Sequence, residues 1–362
     1  CARKIDMAHI PPSNLVFLID VSGSMDLPNK LPLLKAGLRL LVNNLREIDT
    51  VSIITYGGQI SIIVDGASGA ERKKLLEAVE GMQTGGSTPG EAGIRLAYKI
   101  AKKRFNRNGN NRIILATDGD FNVGYTTEKD LEDLIGQQKQ SGIYLSCMGV
   151  GMGNYKDSKL SVLAQKGHGN FSYIDNEAEA DKVFVKELTQ TLYAVADNVW
   201  INTVFDTLLV KSYRLIGFEN KKRAIADTSV KIEGGEVGSG QSLIAIFEVM
   251  PIDSFYGERT LAHIEVNYHL PLDTTNNIIN YNSSDLLIDF SVADSSYRQA
   301  ASIAMFGMKL RQSRYASHIT WKNIDLVAGN CFSKDNAMGR QYLAMVTRAK
   351  EIYKHKRKRF FW

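Results

Sequence analysis

The sequence predicts an α/β fold for the first half of the chain: a doubly wound, mostly parallel, Rossmann-like sheet. For the second half it predicts a β-sandwich-like domain with C-terminal helices. Three observations carry this. Two apolar runs, Asn14 to Asp20 and Arg112 to Asp118, are continuous rather than alternating, as strands buried on both faces of a parallel sheet are, and each ends in an acid. Strand and helix patterns alternate up to about residue 193. From Val199 the texture changes to short β-prone runs divided by turn residues.

In the first domain, strands are expected near 14–20, 50–56, 60–64, 111–117, 143–150 and 171–175. Between them, Leu31 to Leu45 and Ile94 to Phe105 carry apolar residues at helical spacing. Leu131 to Gln140 repeats the pattern more weakly, and a last helix is expected over 178–193. In the second half, strands are expected at Asn202 to Phe205, Leu208 to Ile216, Leu243 to Val249 and Leu261 to Tyr268. Gly234 to Gly240 is a turn by composition, and the Asn-rich stretch Asp273 to Ser284 a long exposed loop. Leu286 to Phe290 is one further strand candidate, and Ser296 to Arg314 and Ala337 to His355 are helices. Arg3 to Ile10 alternates enough to be a strand of the β domain, so the α/β domain is expected to be inserted into it. The resulting partition is a lead-in at 1–12, an α/β domain at 13–197, a β domain at 198–290 and a helical region with a basic tail at 291–362.

The first apolar run closes on Asp20-Val21-Ser22-Gly23-Ser24. An acid and two hydroxyls at alternate positions past a strand end can converge on one point. Oxygen donors of this kind suit a hard cation such as Mg²⁺, and the carboxyl ends of parallel strands are where α/β sheets place ligands. Gly85-Gly86-Ser87-Thr88-Pro89 brings a third hydroxyl, and Asp118, at the end of the second apolar run, brings a second acid. Singly, each residue has a structural role to hand. Ser22 and Ser24 can cap a turn, Thr88-Pro89-Gly90-Glu91 is a capping box, and Asp118-Gly119 is a turn pair. Their conjunction at one edge of one sheet favours a metal site built from Asp20, Ser22, Ser24, Thr88 and Asp118.

With these five residues in this order, the chain resembles the von Willebrand factor A domain family over residues 13–195. The family's metal-ion-dependent adhesion site is an Asp-x-Ser-x-Ser motif followed by a Thr and an Asp. The resemblance implies that Ser22, Ser24 and Thr88 bind the ion directly and that Asp20 and Asp118 act through water. The ion is expected to be Mg²⁺, with Mn²⁺ or Ca²⁺ as alternatives. It also implies a last helix that moves with the state of the site. Pro11 to Met25, Ala116 to Gly124, Tyr213 to Asn220 and Gly234 to Gln241 are similar to one bacterial subfamily. Its members join an A domain to a C-terminal domain of unknown function, often behind a further N-terminal region. That resemblance implies a bacterial cell-envelope setting, periplasmic or surface, and a residue 1 that stands inside a longer protein.

Composition is that of a soluble protein, with 44% hydrophobic and 23% charged residues, and no apolar stretch reaches bilayer length. The net charge of +5 is local: Lys354 to Arg359 holds five basic residues, and without them 39 basic residues equal 39 acidic ones. The tail is read as a solvated terminus, with peripheral contact to an anionic membrane through its basic and aromatic residues as the sharper alternative. Nucleic-acid binding is not expected. Three cysteines and six scattered histidines show no metal-ligand spacing, and Cys147 is expected inside a buried strand. Gly149-Val-Gly151-Met-Gly153-Asn154 lacks the full dinucleotide spacing and is expected at the rim of the metal site.

Two carboxylates neutralise a divalent ion without excess negative charge, which leaves a coordination position for an outside acid. The leading expectation is therefore a non-enzymatic interaction module whose cation takes an Asp or Glu carboxylate of a protein partner. The alternative is a cell-envelope scaffold whose metal site only stiffens loops. A metal-assisted hydrolase lacks an evident general base.

Overall fold

A computed structural model describes residues 2, 10–86, 90–119, 128–139, 141–151, 157–187, 194–217, 234–252, 259–271, 273, 275–284 and 288–358. The chain divides into two compact units. The first takes in Cys1–Trp200, Glu233–Ser242 and Asn267–Asn277, and the second takes in Ile201–Ile232, Leu243–Val266 and Ile278–Trp362.

The first unit is built on six strands: β1 (Ser13–Asp20), β2 (Thr50–Tyr56), β3 (Ser61–Ser68), β4 (Asn110–Thr117), β5 (Ile143–Val150) and β6 (His168–Ile174). Their order is β3-β2-β1-β4-β5-β6. β1 runs parallel to both β2 and β4, β5 and β6 continue the parallel set, and only β3 is antiparallel. Every residue of β1 is buried, as its continuous apolar run requires. Alternate residues then face opposite layers. Leu15, Phe17 and Ile19 join a core with α1 (Leu31–Asn44), α2 (Arg72–Gly81) and α6 (Glu177–Asp181). Val16 and Leu18 join the other, with α3 (Gly90–Lys103), α4 (Glu128–Lys139) and α5 (Asp157–Lys166). α6 runs on through a π-helical turn at Lys182–Glu187, whose Phe184 lies against Gly37 of α1. Residues 188–193 of the expected last helix lie outside the described residues.

The doubly wound sheet is thus present, with strand order reversing between β1 and β4. That reversal is a topological switch point, and the carboxyl ends of these strands carry Asp20 and, one residue past β4, Asp118.

The second half contains antiparallel strands and then helices. β8 (Val210–Leu215) pairs with β10 (Phe247–Pro251). A four-stranded sheet has the order β12-β11-β7-β9, from β7 (Ala194–Phe205), β9 (Gly235–Gly238), β11 (Thr260–His269) and β12 (Asn277–Ser284). The helices are α7 (Ser295–Leu310), α8 (Trp321–Cys331) and α9 (Ala337–Lys358). Asp294 caps α7, and a Thr320–Asn323 capping box opens α8. Their shared core holds Ile324, Ala328, Tyr342 and Val346, flanked by Phe306 edge-on to Trp321. Among the described residues, no helix is long and apolar enough to cross a membrane.

Several expectations are corrected. The Asn-rich stretch at 273–284 is not one long loop, because Asn277–Ser284 forms β12. The segment Gly234 to Gly240 holds a short strand, β9, as well as turns. Ile288 and Asp289 lie outside any strand, while 285–287 lie outside the described residues. Helices α2, α5 and α8 were not anticipated. At the start of the chain, Ile10 is buried in the core of the α/β unit and the Ala2 amide donates to the Gln241 carbonyl. The strand expected from Arg3 to Ile10 falls almost wholly outside the described residues. In the C-terminal basic run, Lys354 to Lys358 continue α9 and 359–362 are not described.

Candidate metal centre

The site begins where β1 ends. The Val21 amide still donates to the Tyr56 carbonyl of β2, and then the chain leaves the sheet. The Ser22 amide turns back to donate to Asp20 Oδ1 at 2.9 Å, and a single 3₁₀ turn covers Gly23–Asp26. This puts Ser22 Oγ 3.1 Å from Ser24 Oγ. Two glycines permit the crossing. A Cβ on Gly57, at φ +139°, would stand 2.3 Å from the Ser22 nitrogen. A Cβ on Gly86, at φ +71°, would stand 2.5 Å from the Gly57 carbonyl oxygen. The Gly85–Gly86 loop is stitched to the serine loop by Gly85 N–H to Val21 O (2.7 Å) and Gly23 N–H to Gly86 O (3.2 Å). Thr88, the third expected hydroxyl, lies just beyond it and outside the described residues.

Asp20 is held from two neighbouring strands and from the loop that follows its own. Oδ1 accepts the Ser22 amide, while Oδ2 accepts Thr117 Oγ1 at 2.8 Å and Tyr56 Oη at 3.2 Å. Burial pushes its carboxyl above the ordinary carboxylate range. The Ser22 and Thr117 hydrogen bonds oppose the rise, and the charge of Asp118 adds to it. Tyr56 is raised well above its ordinary value by burial and by neighbouring Asp20, so its hydroxyl stays a donor. Asp118, also buried, accepts Lys30 Nζ on Oδ2 at 2.8 Å, and the same ammonium donates to the Ser24 carbonyl at 2.8 Å.

Four of the five expected residues are therefore gathered at one sheet edge. Three more were missed: Thr117, Tyr56 and Lys30. Parallel register sets Tyr56 opposite Asp20, so pairing the ends of β1 and β2 could have found it. Thr117 directly precedes Asp118 and also accepts the Gly119 amide at 3.3 Å, joining the two acid positions through one hydroxyl.

These residues fit a hard divalent cation. With Mg–O bonds of about 2.0–2.1 Å, adjacent oxygens of an octahedral shell stand about 2.9 Å apart, close to the 3.1 Å between the two serine hydroxyls. A cation, the Lys30 ammonium, already bridges the serine loop and Asp118. Both Asp20 oxygens are occupied by protein donors, as suits an acid acting from behind the serines rather than as a direct ligand.

The glycine loop after β5 reaches the same region. Gly151, at φ +96°, is tied by its amide to Ile174 O at 3.0 Å and accepts the Tyr173 hydroxyl on its carbonyl. A Cβ there would meet Cγ and Cε of Lys30 at 3.0 Å. Gly151 thus lies along the stem of Lys30, and residues 152–156 lie outside the described residues.

The fold is that of a von Willebrand factor type A domain, and the model of that family matches residues 14–190. A second family model, the C-terminal domain of the uncharacterized protein YfbK, matches residues 190–352. The chain is 35% identical over 341 residues to the uncharacterized protein YfbK of Escherichia coli strain K12, covering 89% of this chain and 59% of that protein. The chain is a homologue of the bacterial YfbK protein, with a von Willebrand factor type A domain followed by the YfbK C-terminal domain. The uncharacterized protein sll0103 of a Synechocystis strain is 22% identical, covering 77% of this chain and 66% of that protein. The chain thus spans about three fifths to two thirds of these relatives. Inter-alpha-trypsin inhibitor heavy chain H3 of Homo sapiens is 27% identical over 180 residues, 48% of this chain and 20% of that protein. Among solved structures, a von Willebrand factor type A protein from Catenulispora acidiphila shares the fold, with a TM-score of 0.55 and 15% identity over 93% of this chain and 82% of that one.

Proposed function

We propose that this protein is a non-enzymatic, metal-dependent interaction module in which a divalent cation at Asp20, Ser22, Ser24, Thr88 and Asp118 takes a carboxylate from a protein partner. Domains of the matching type generally serve protein–protein interaction and adhesion. The observation that carries the metal reading is the pair of serine hydroxyls 3.1 Å apart on the loop after buried Asp20, at the switch point of the sheet where buried Asp118 also stands. When bound, the cation, Mg²⁺ or else Mn²⁺ or Ca²⁺, supplies an open position for an outside oxygen.

The chain's own residues do the rest. Tyr56 and Thr117 hold Asp20 still and donate to it. Asp20 in turn anchors the Ser22 amide, which fixes where the hydroxyls stand. The glycines let the two loops close on each other. Among the described residues, no side chain at the edge is placed as a general base, since Asp20 accepts three hydrogen bonds and Asp118 accepts a lysine. The partner is a protein presenting Asp or Glu, and the setting is the bacterial cell envelope.

The test is calorimetric. Mg²⁺ and Mn²⁺ are titrated into wild type and Asp20→Ala, and a short acidic peptide is then added. Support is ion binding that the substitution abolishes, with peptide binding only when the ion is present. One observation favours a second reading, the scaffold: Asp20 ties β1, β2 and β4 together without any partner. Partner binding unchanged by Asp20→Ala and Thr88→Ala would select that reading.

A further inference from the structure

Lys30 occupies a position that local physics disfavours. It is the N-cap of α1, with φ −119° and ψ −108°, and its side chain makes no cap bond. Ser, Thr, Asp and Asn are the usual residues there, and a cation at a helix N-terminus opposes the helix dipole. A residue that breaks a local rule without a local gain points to function. Here the side chain passes along Gly151 and delivers its ammonium to Asp118 Oδ2 and the Ser24 carbonyl, both at 2.8 Å. Its side chain is only 15% exposed and that of Asp118 only 5%. The charge is therefore fixed inside the site rather than waving over it.

We propose that Lys30 is a tethered counter-cation that makes stable loading of the divalent ion conditional on a partner carboxylate. The proposal rests on the metal-dependent reading above and concerns its regulation. Formal charge states the case. Asp20, Asp118 and Lys30 together carry one net negative charge. A divalent ion turns the site to one net positive charge, and a partner carboxylate then brings it to zero. Without Lys30, the ion alone neutralises the two acids and an added carboxylate leaves the site negative. Lys30 thus moves the neutral point from the ion-bound protein to the complex of protein, ion and partner. It also holds Asp118 while no ion is there, so the ion must compete for that carboxylate.

The experiment is titration of Mn²⁺ alone into wild type and Lys30→Met, followed by titration of a short Asp-containing peptide into each Mn²⁺-saturated protein. One unit charge removed at a few ångströms predicts Mn²⁺ affinity raised about tenfold or more in Lys30→Met and peptide affinity lowered by a similar factor. Thermal melts give a second readout. In chelator, Lys30→Met melts below wild type because buried Asp118 loses its partner, and Mn²⁺ raises its melting temperature more than that of wild type. Lys30→Gln, which keeps a polar tip for Asp118, repeats both measurements if the methionine variant folds poorly. A wild type that binds Mn²⁺ alongside folded variants with equal or weaker Mn²⁺ affinity overturns this inference and leaves the metal-dependent reading in place. No Mn²⁺ binding by any of the proteins, with or without peptide, overturns that reading and this one together.

Discussion

Arg112 is wholly buried at the start of β4, and its guanidinium meets Glu236 of β9 at 2.5 and 2.7 Å. The pair lies within the first compact unit, and the Glu236 side chain is 4% exposed. Arg112 also donates to Ser146 Oγ at 2.9 Å and lies over the Tyr144 ring, 5.6 Å from its centre. Its Nε has no hydrogen-bond partner among the described residues, so Glu236 is its principal counterweight. Replacing Glu236 by Gln removes that charge and strands a buried guanidinium. Breaking a buried pair from one side costs about 3–5 kcal/mol. A unit-charge interaction at about 4 Å and an effective dielectric near 20 gives the same scale, about 4 kcal/mol. Removing both charges with Arg112→Met and Glu236→Met leaves no stranded ion and recovers most of the loss. Urea unfolding of wild type, the Arg112→Met and Glu236→Met single variants and the double variant measures the coupling, Glu236→Gln reads the cost of the stranded guanidinium, and amide hydrogen exchange of β4 and β9 localises it. A Glu236→Gln loss below about 1 kcal/mol, or a double variant less stable than either single one, would refute the reasoning.

Three further predictions follow from particular contacts. Gly37→Ala, which in an exposed helix would stabilise, places a Cβ 2.2 Å from the ring of buried Phe184. It is expected to cost about 1–3 kcal/mol by overpacking, read by thermal melting, and a melting temperature at or above wild type would contradict the packing. Thr117→Val removes the 2.8 Å donor to Asp20. It is expected to cost about 1.5–3 kcal/mol, the scale of a hydrogen bond to a charged group, and to weaken Mn²⁺ binding; unchanged affinity in calorimetry would show that Thr117 does not position Asp20. Asp65 on β3 is held below its ordinary value of 3.8 by hydrogen bonds from Arg104 and Lys103 of the α3 end. Its contribution, about 0.5–1 kcal/mol for a partly exposed cluster, is fully present above the unfolded value. It disappears as pH falls through the lowered folded value. The melting difference between wild type and Asp65→Asn should accordingly be constant near neutrality and vanish in strong acid, and a difference that persists there would contradict the assignment.

How much of this was legible depended on how local each signal is. β1 and β4 are continuous apolar runs, and burial on both faces leaves such runs few alternatives. Asp20, Ser22 and Ser24 sit within five residues, so their convergence could be read directly, and Asp118 closes its own strand signal. Tyr56 joins the site only through the register of β2 on β1, and Lys30 only through the start of a helix folded back over the edge. The Arg112–Glu236 pair spans 124 residues, a distance over which no spacing rule operates. β12 has an Asn-rich sequence of poor strand propensity, and pairing in the sheet overrides it. α2 and α5 are short, and each presents few buried apolar residues, Leu75 and Val79 in one and Leu160, Leu163 and Ala164 in the other.

The most direct test of the metal centre is anomalous diffraction from crystals of this protein equilibrated with Mn²⁺. An anomalous peak is expected within coordination distance of Ser22 Oγ and Ser24 Oγ, on the side facing Asp118, and is expected to be lost in Asp20→Ala. A saturated crystal with no peak there, or with Mn²⁺ bound only elsewhere, would contradict it.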